Sequence, residues 1–167
     1  EPGISYEAHS TDYQPTASLA ELVASHFFFL KVGPELTFRF REAIFALAEI
    51  EAEMAPSNPS NLRRVIAARM TENSGYWRDY YQGTESEVAL LRSYSYSDRI
   101  RYYWSDPVVS TALANLIDNV KAARPSETLV SQYFSGFDFG DIPNDPEKLI
   151  ERHVQLCVQR YFTATGA

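Results

Sequence analysis

Phe27-Phe28-Phe29-Leu30-Lys31-Val32-Gly33-Pro34-Glu35-Leu36-Thr37 is the stretch that decides the fold. Its continuous apolar run marks a strand buried on both faces, and the Gly-Pro step ends that strand just before a helix begins. Upstream, residues 4–9 read as a shorter strand. Between the two, Ser18-Leu19-Ala20-Glu21 has the spacing of a capping box, and Leu19, Leu22, Val23 and His26 recur at helical intervals. The unit is therefore strand, helix, strand, which makes the strands parallel. Parallel sheets occur almost only as several strands covered by helices. Two strands alone would leave Phe27 to Phe29 open to water, so neighbouring strands are expected upstream of Glu1 or in another chain. The start at Glu1-Pro2-Gly3, with no initiator Met and no signal region, agrees with that expectation.

Downstream, everything reads as helix. Leu36, Phe40, Ala43, Ile44, Leu47, Ile50 and Met54 form one long amphipathic stripe that Pro56 and Pro59 end. Glu49, Glu51 and Glu53 give it an acidic outer face. Ser60 can cap a helix carrying Leu62, Val65, Ile66 and Met70 that ends near Gly75, and Thr84 to Glu87 form a second capping box. Asp106-Pro107 and Asp145-Pro146 each place an N-cap before a proline at the first helical position. The first introduces Val109, Leu113, Leu116, Ile117 and Val120. The second opens a helix burying Leu149, Ile150, His153, Val154 and Cys157 and stopping before Gly166.

Composition removes whole classes of function. The 167 residues are 45% apolar, ordinary for a globular domain. Fifteen Lys and Arg against 22 Asp and Glu give a net charge of −7 and a pI near 5.0, which argues against nucleic acid and anionic membranes as partners. Cys157 alone cannot form an internal disulfide, and no run of about 18 apolar residues could span a bilayer. A cytoplasmic protein is expected. The seven glycines form neither a Walker loop nor a dinucleotide fingerprint, and no Gly-x-Ser-x-Gly occurs. His9, His26 and His153 are far apart in sequence, so this segment completes no zinc site by spacing.

Two loops follow the carboxyl ends of the strands, where parallel α/β folds bind ligands. In the second, Lys31, Gly33 and Thr37 flank the start of the long helix, whose backbone amides suit a phosphate. The same residues also suit plain turn and cap chemistry, with Gly33-Pro34 turning, Thr37 capping and His9 bonding locally. Further on, residues 91–104 interleave three Arg with five aromatics. Arg99, Arg101 and Trp104 fit either a subunit interface or packing of the helical region within the chain.

Four motifs carry a resemblance: Tyr6-Glu7-Ala8-His9-Ser10-Thr11-Asp12-Tyr13-Gln14, Leu30-Lys31-Val32-Gly33-Pro34-Glu35-Leu36-Thr37-Phe38, Ser95-Tyr96-Ser97-Asp98-Arg99-Ile100-Arg101-Tyr102-Tyr103-Trp104 and Glu127-Thr128-Leu129-Val130-Ser131-Gln132-Tyr133. Together they resemble the tagatose-bisphosphate aldolase Z-subunit family, also labelled tagatose 6-phosphate kinase. The resemblance implies an α/β protein, the C-terminal portion of a (β/α)₈ TIM barrel. Residues 1–55 would supply the last strand–helix units and residues 56–167 an added helical region. It further implies a non-catalytic, chaperone-like subunit that stabilises a separate catalytic Y subunit in galactitol or N-acetylgalactosamine catabolism. No catalytic residue is assigned, and the alternative is a sugar-phosphate enzyme, either the labelled kinase or a zinc aldolase. The family is in turn similar to zinc-dependent class II aldolases, in which His9 matches a metal-ligand position. In those enzymes the His is followed by glycines and the next strand ends Lys-Val-Asn. Here Ser10-Thr11-Asp12-Tyr13 follow, and Lys31-Val32-Gly33-Pro34 lacks the Asn, so the substrate site looks degraded and zinc at His9 vestigial.

Overall fold

Strands β1 (Tyr6–Ala8) and β2 (Phe27–Leu30) pair in parallel, with Tyr6 opposite Phe27 and Ala8 opposite Leu30. The computed structural model describes residues 3–138, 140 and 144–166; Glu1 and Pro2 lie outside the described residues. Helix α1 (Thr16–Ala24) joins the strands, and α2 (Glu35–Met54) follows β2. Then come α3 (Leu62–Glu72), α4 (Glu85–Tyr94), α5 (Pro107–Ala123), α6 (Glu127–Tyr133) and α7 (Pro146–Thr165). The described residues are thus mostly helical, with one parallel strand pair at one end.

A single core runs through the helices. Ala43, Ile44, Leu47 and Ile50 of α2 lie fully buried among Leu62, Ile66 and Met70 of α3, Val109, Leu116 and Val120 of α5, Val130 of α6 and Leu149 of α7. Each large apolar side chain buried this way stabilises by about 1.5–3 kcal/mol. Because α2 is both the helix after β2 and the centre of this core, residues on either side of position 55 share it. The last helix closes the other side, packing on α1 and α2 and so reaching back to the strands.

The caps at Thr84, Asp106 and Asp145 form as expected. Thr84 and Glu87 make the reciprocal capping box, Asp106 accepts from Val108 and Val109, and Asp145 accepts from Glu147 and Lys148. Gly166 ends α7 at φ 74°, a left-handed geometry that glycine adopts without strain.

Four readings need correction. Ser18 is not an N-cap: α1 starts at Thr16, directly behind Pro15, whose carbonyl accepts from Leu19 N–H. His26 is not on the helix but in the turn into β2, at φ 66°. Glu51 leaves the acidic outer face; it is buried, takes Ser60 N–H and hydroxyl at 2.8 and 2.5 Å, and accepts from Asn119 Nδ2 at 2.6 Å. A carboxylate is tolerated there because three donors converge on it. Ser60 therefore does not sit at the N-cap itself, which is the left-handed Asn61, although its hydroxyl still accepts from Leu62 N–H.

Candidate functional site

The carboxyl ends of β1 and β2 meet over the start of α2. After β1 the chain passes through two left-handed residues, Ser10 at φ 56° and Tyr13 at φ 62°, and the bend turns Asp12 toward the neighbouring loop. There the Asp12 carboxylate accepts from Gly33 N–H at 2.8 and 3.0 Å and from Glu35 N–H at 2.9 Å. The first amides of a helix carry partial positive charge and orphan donors, the basis of phosphate binding at such ends. Here the Asp12 carboxylate takes the first of them, Glu35 N–H, together with Gly33 N–H just ahead of the helix. A Cβ at position 33 would lie 3.2 Å from Asp12 Oδ2, so glycine lets the carboxylate come this close.

The other residues expected at a phosphate are also engaged within the chain. Lys31 Nζ donates to Glu7 Oε1 at 2.8 Å, and His9 Nε2 lies 2.6 Å from the same oxygen. Lys31 and His9 hold the exposed Glu7 carboxyl below its ordinary range. Thr37 does not cap α2; its hydroxyl donates to Pro34 O at 2.9 Å, because Pro34 already has helical torsions and Asp12 does the capping.

Glu35 is the centre of a second layer. Fully buried, it accepts from Tyr13 N–H at 2.7 Å and pairs with Arg160 of α7, while Tyr161 Oη lies 3.2 Å from Glu35 and 3.0 Å from Thr11 O. The last helix thereby clamps both loops. Burial alone would raise the Glu35 pKa, but the Tyr13 amide and Arg160 outweigh it and the net direction is down. A carboxylate with a depressed folded-state pKa contributes stability that is fully present above its ordinary 4.5 and lost as pH falls through the lower folded value. Wild type should therefore lose more thermal midpoint than Glu35→Gln between pH 4.5 and about pH 3; equal losses would contradict the clamp.

The aromatic–arginine stretch packs against this layer. Tyr13 Oη donates to Tyr96 O at 2.6 Å, and the Tyr13 ring meets Phe38 and Tyr96 at 5.4 and 4.5 Å. Arg41 donates to Asp98 at 2.8 Å and to Ser93 O at 2.6 Å, both side chains being almost fully buried. Arg99 reaches Tyr76 O and stacks on Tyr80, Arg101 reaches Ser97 O at 3.1 Å and Tyr102 Oη at 2.9 Å, and Trp104 meets Phe40 edge-on at 5.2 Å. Trp104→Ala should lower stability by about 2 kcal/mol, less than for a fully buried Trp. Arg101→Ala, whose contacts are local, should leave the midpoint within about 0.5 kcal/mol of wild type. Loss of co-purification with a catalytic subunit at an unchanged midpoint would instead assign these residues to an interface.

For zinc, the donor set does not fit by itself. No group of three or more His, Cys, Asp or Glu able to hold a metal occurs among the described residues. His9 faces only Glu7, His26 lies at the opposite end of β2, and His153 sits 3.2 Å from Glu42. Cys157 is buried, and burial followed by the Glu35 charge pushes its thiol up to about 11, which leaves it protonated and inert.

The model of the D-tagatose-1,6-bisphosphate aldolase subunit GatZ/KbaZ-like family matches residues 1–166. The chain belongs to this family. It is also similar to the crystal structure of a probable tagatose 6 phosphate kinase from Sinorhizobium meliloti 1021, at 40% identity and a TM-score of 0.92. That match covers 98% of this chain and 43% of the other, so the chain spans less than half the length of that relative. For this GatZ/KbaZ-like chain, no described helix is long and apolar enough to cross a membrane. Asp12, Glu35, Arg160 and Tyr161, which organise the loops, were not anticipated as a group. The Asx position ahead of a Gly-Pro helix start was the available signal, but it lies 21 residues from Gly33.

Proposed function

We propose that the chain is part of a non-catalytic, chaperone-like subunit that supports a class II tagatose-bisphosphate aldolase, in catabolism of galactitol, N-acetylgalactosamine or related sugars. One observation carries the reading: the helix N-terminus that a sugar phosphate would use is capped by Asp12. A phosphate entering there would have to displace the Asp12 carboxylate from the Gly33 and Glu35 N–H groups. Juxtaposed like charges oppose such an approach. The Lys31 charge is already paired with Glu7 and the Thr37 hydroxyl is bonded to Pro34 O, and His9 is a vestige of a metal-ligand position. The partner is the catalytic subunit of the aldolase, in a cytoplasmic hetero-oligomer.

In this reading β1 and β2 are the last two strands of a (β/α)₈ barrel. Residues 1–55 are its closing units and residues 56–167 the added helical region, joined through α2. The kinase name of the solved relative gains no support from the loops, where Asp12 takes the Gly33 and Glu35 N–H donors.

Titrating the ¹⁵N-labelled full-length protein with inorganic phosphate tests the capped end. The Gly33 and Glu35 amide resonances are expected to stay unmoved; saturable shifts at both would overturn the reading.

A further inference from the structure

We infer that the recess between α3 and α4 binds a small phosphate-bearing ligand, gripped by Arg64 and Arg92. The recess holds about 300 Å³, the lower end of the size range for small-molecule sites. Arg63 and Arg64 line it from α3, Arg92 and Ser93 from α4, over a floor that includes the buried Ile66 and Met70.

Charge is what sets it apart. In a chain of net charge −7, an arginine beside a recess can find a carboxylate within the chain. The smaller polar pocket beside α7 shows this case: Arg39, His153 and Arg160 line it, and Glu42 and Glu35 pair with them. Between α3 and α4 only Arg63 is paired, with Glu49. Arg92 has neutral partners, the Thr71 hydroxyl at 2.6 Å and the Trp77 ring at 5.0 Å, and Arg64 has no carboxylate within 4.0 Å among the described residues. Two uncompensated guanidinium groups thus line one recess over an apolar floor.

The apolar floor strengthens the attraction for an anion once water is displaced. Guanidinium forks match the oxygens of a phosphate monoester by paired N–H donors. The volume limits the rest of the ligand to about the size of a sugar. This site lies on the helical region and is independent of the capped α2 end.

The test is the thermal midpoint of the full-length protein against inorganic phosphate, with sodium chloride and sodium succinate at matched ionic strength. Phosphate is expected to raise the midpoint saturably, and chloride and succinate to do so far less. Arg64→Gln combined with Arg92→Gln should weaken the apparent phosphate affinity at least about tenfold. Without phosphate, the double variant should melt somewhat lower than wild type, because Arg92 loses the Thr71 hydroxyl and the Trp77 ring, so the affinity is read from the phosphate-dependent shift of each variant against its own baseline. Arg64→Lys, which keeps the charge but loses the fork, should fall between, and Lys148→Gln on α7 should match wild type. An equal response to all three salts, or an unchanged phosphate response in the double variant, would overturn the assignment. So would no phosphate response together with loss of a co-purifying subunit in the double variant, which would assign the arginines to an acidic protein partner.

Discussion

Asp98→Ala is expected to lower stability by about 3–5 kcal/mol, because it leaves the Arg41 guanidinium buried with no counter-charge. Arg41 is 3% and Asp98 1% exposed at the side chain, so water cannot compensate the survivor. The pair also ties α2 to the segment that carries Tyr96, whose carbonyl receives the Tyr13 hydroxyl, so the loop after β1 should loosen at the same time. Burial raises the Asp98 pKa against the pull of Arg41, which marks a desolvated charge held by its partner rather than a solvated one. Replacing both, as Arg41→Met with Asp98→Leu, should restore most of the loss, since well-packed apolar pairs often match buried ion pairs. Urea unfolding of Asp98→Ala and of the double variant measures this; a loss under about 1 kcal/mol in Asp98→Ala would contradict the buried-pair account.

The second large effect concerns β2. Phe28 and Phe29 are 72% and 59% exposed in residues 1–167, although their strand reads as one buried on both faces. If further barrel strands and helices cover them, Phe28→Ala should cost the full-length protein about 3–5 kcal/mol, the usual loss for a buried Phe. In residues 1–167 alone the same change should be nearly neutral, and that segment should be aggregated or molten, with apolar dye binding and weak near-UV dichroism. A monomeric, cooperatively melting 167-residue product, or a neutral Phe28→Ala in the full-length protein, would count against the barrel.

How much could be read in advance follows from the range of the forces involved. The helix starts at Thr84, Asp106 and Asp145 were legible because each cap bonds within three residues of itself. The long α2 and the parallel strand pair were legible because their apolar periods are continuous. What escaped were bonds that sequence does not bring close. Asp12 caps a helix that starts 23 residues later, Glu35 meets Arg160 after 125 residues, and Glu51 turned inward because Ser60 and Asn119 converge on it. Helix α6 was missed because seven residues show too little period, although Ser126 ahead of Glu127 was a usable cap signal. His9 was expected at a metal position and Lys31 at a phosphate, and in the structure both reach one carboxylate. Their common partner Glu7, which ties them to each other, was not foreseen.

The most direct measurement of the central claim is cleavage of D-tagatose 1,6-bisphosphate by the full-length protein alone, with zinc supplied, beside cleavage by the catalytic aldolase subunit with and without it. The capped α2 end and the isolated His9 predict no turnover by the protein alone, and a partner that melts higher and turns over faster in its presence, unchanged by His9→Ala. Zinc-dependent turnover by the protein alone that disappears in His9→Ala would contradict the account.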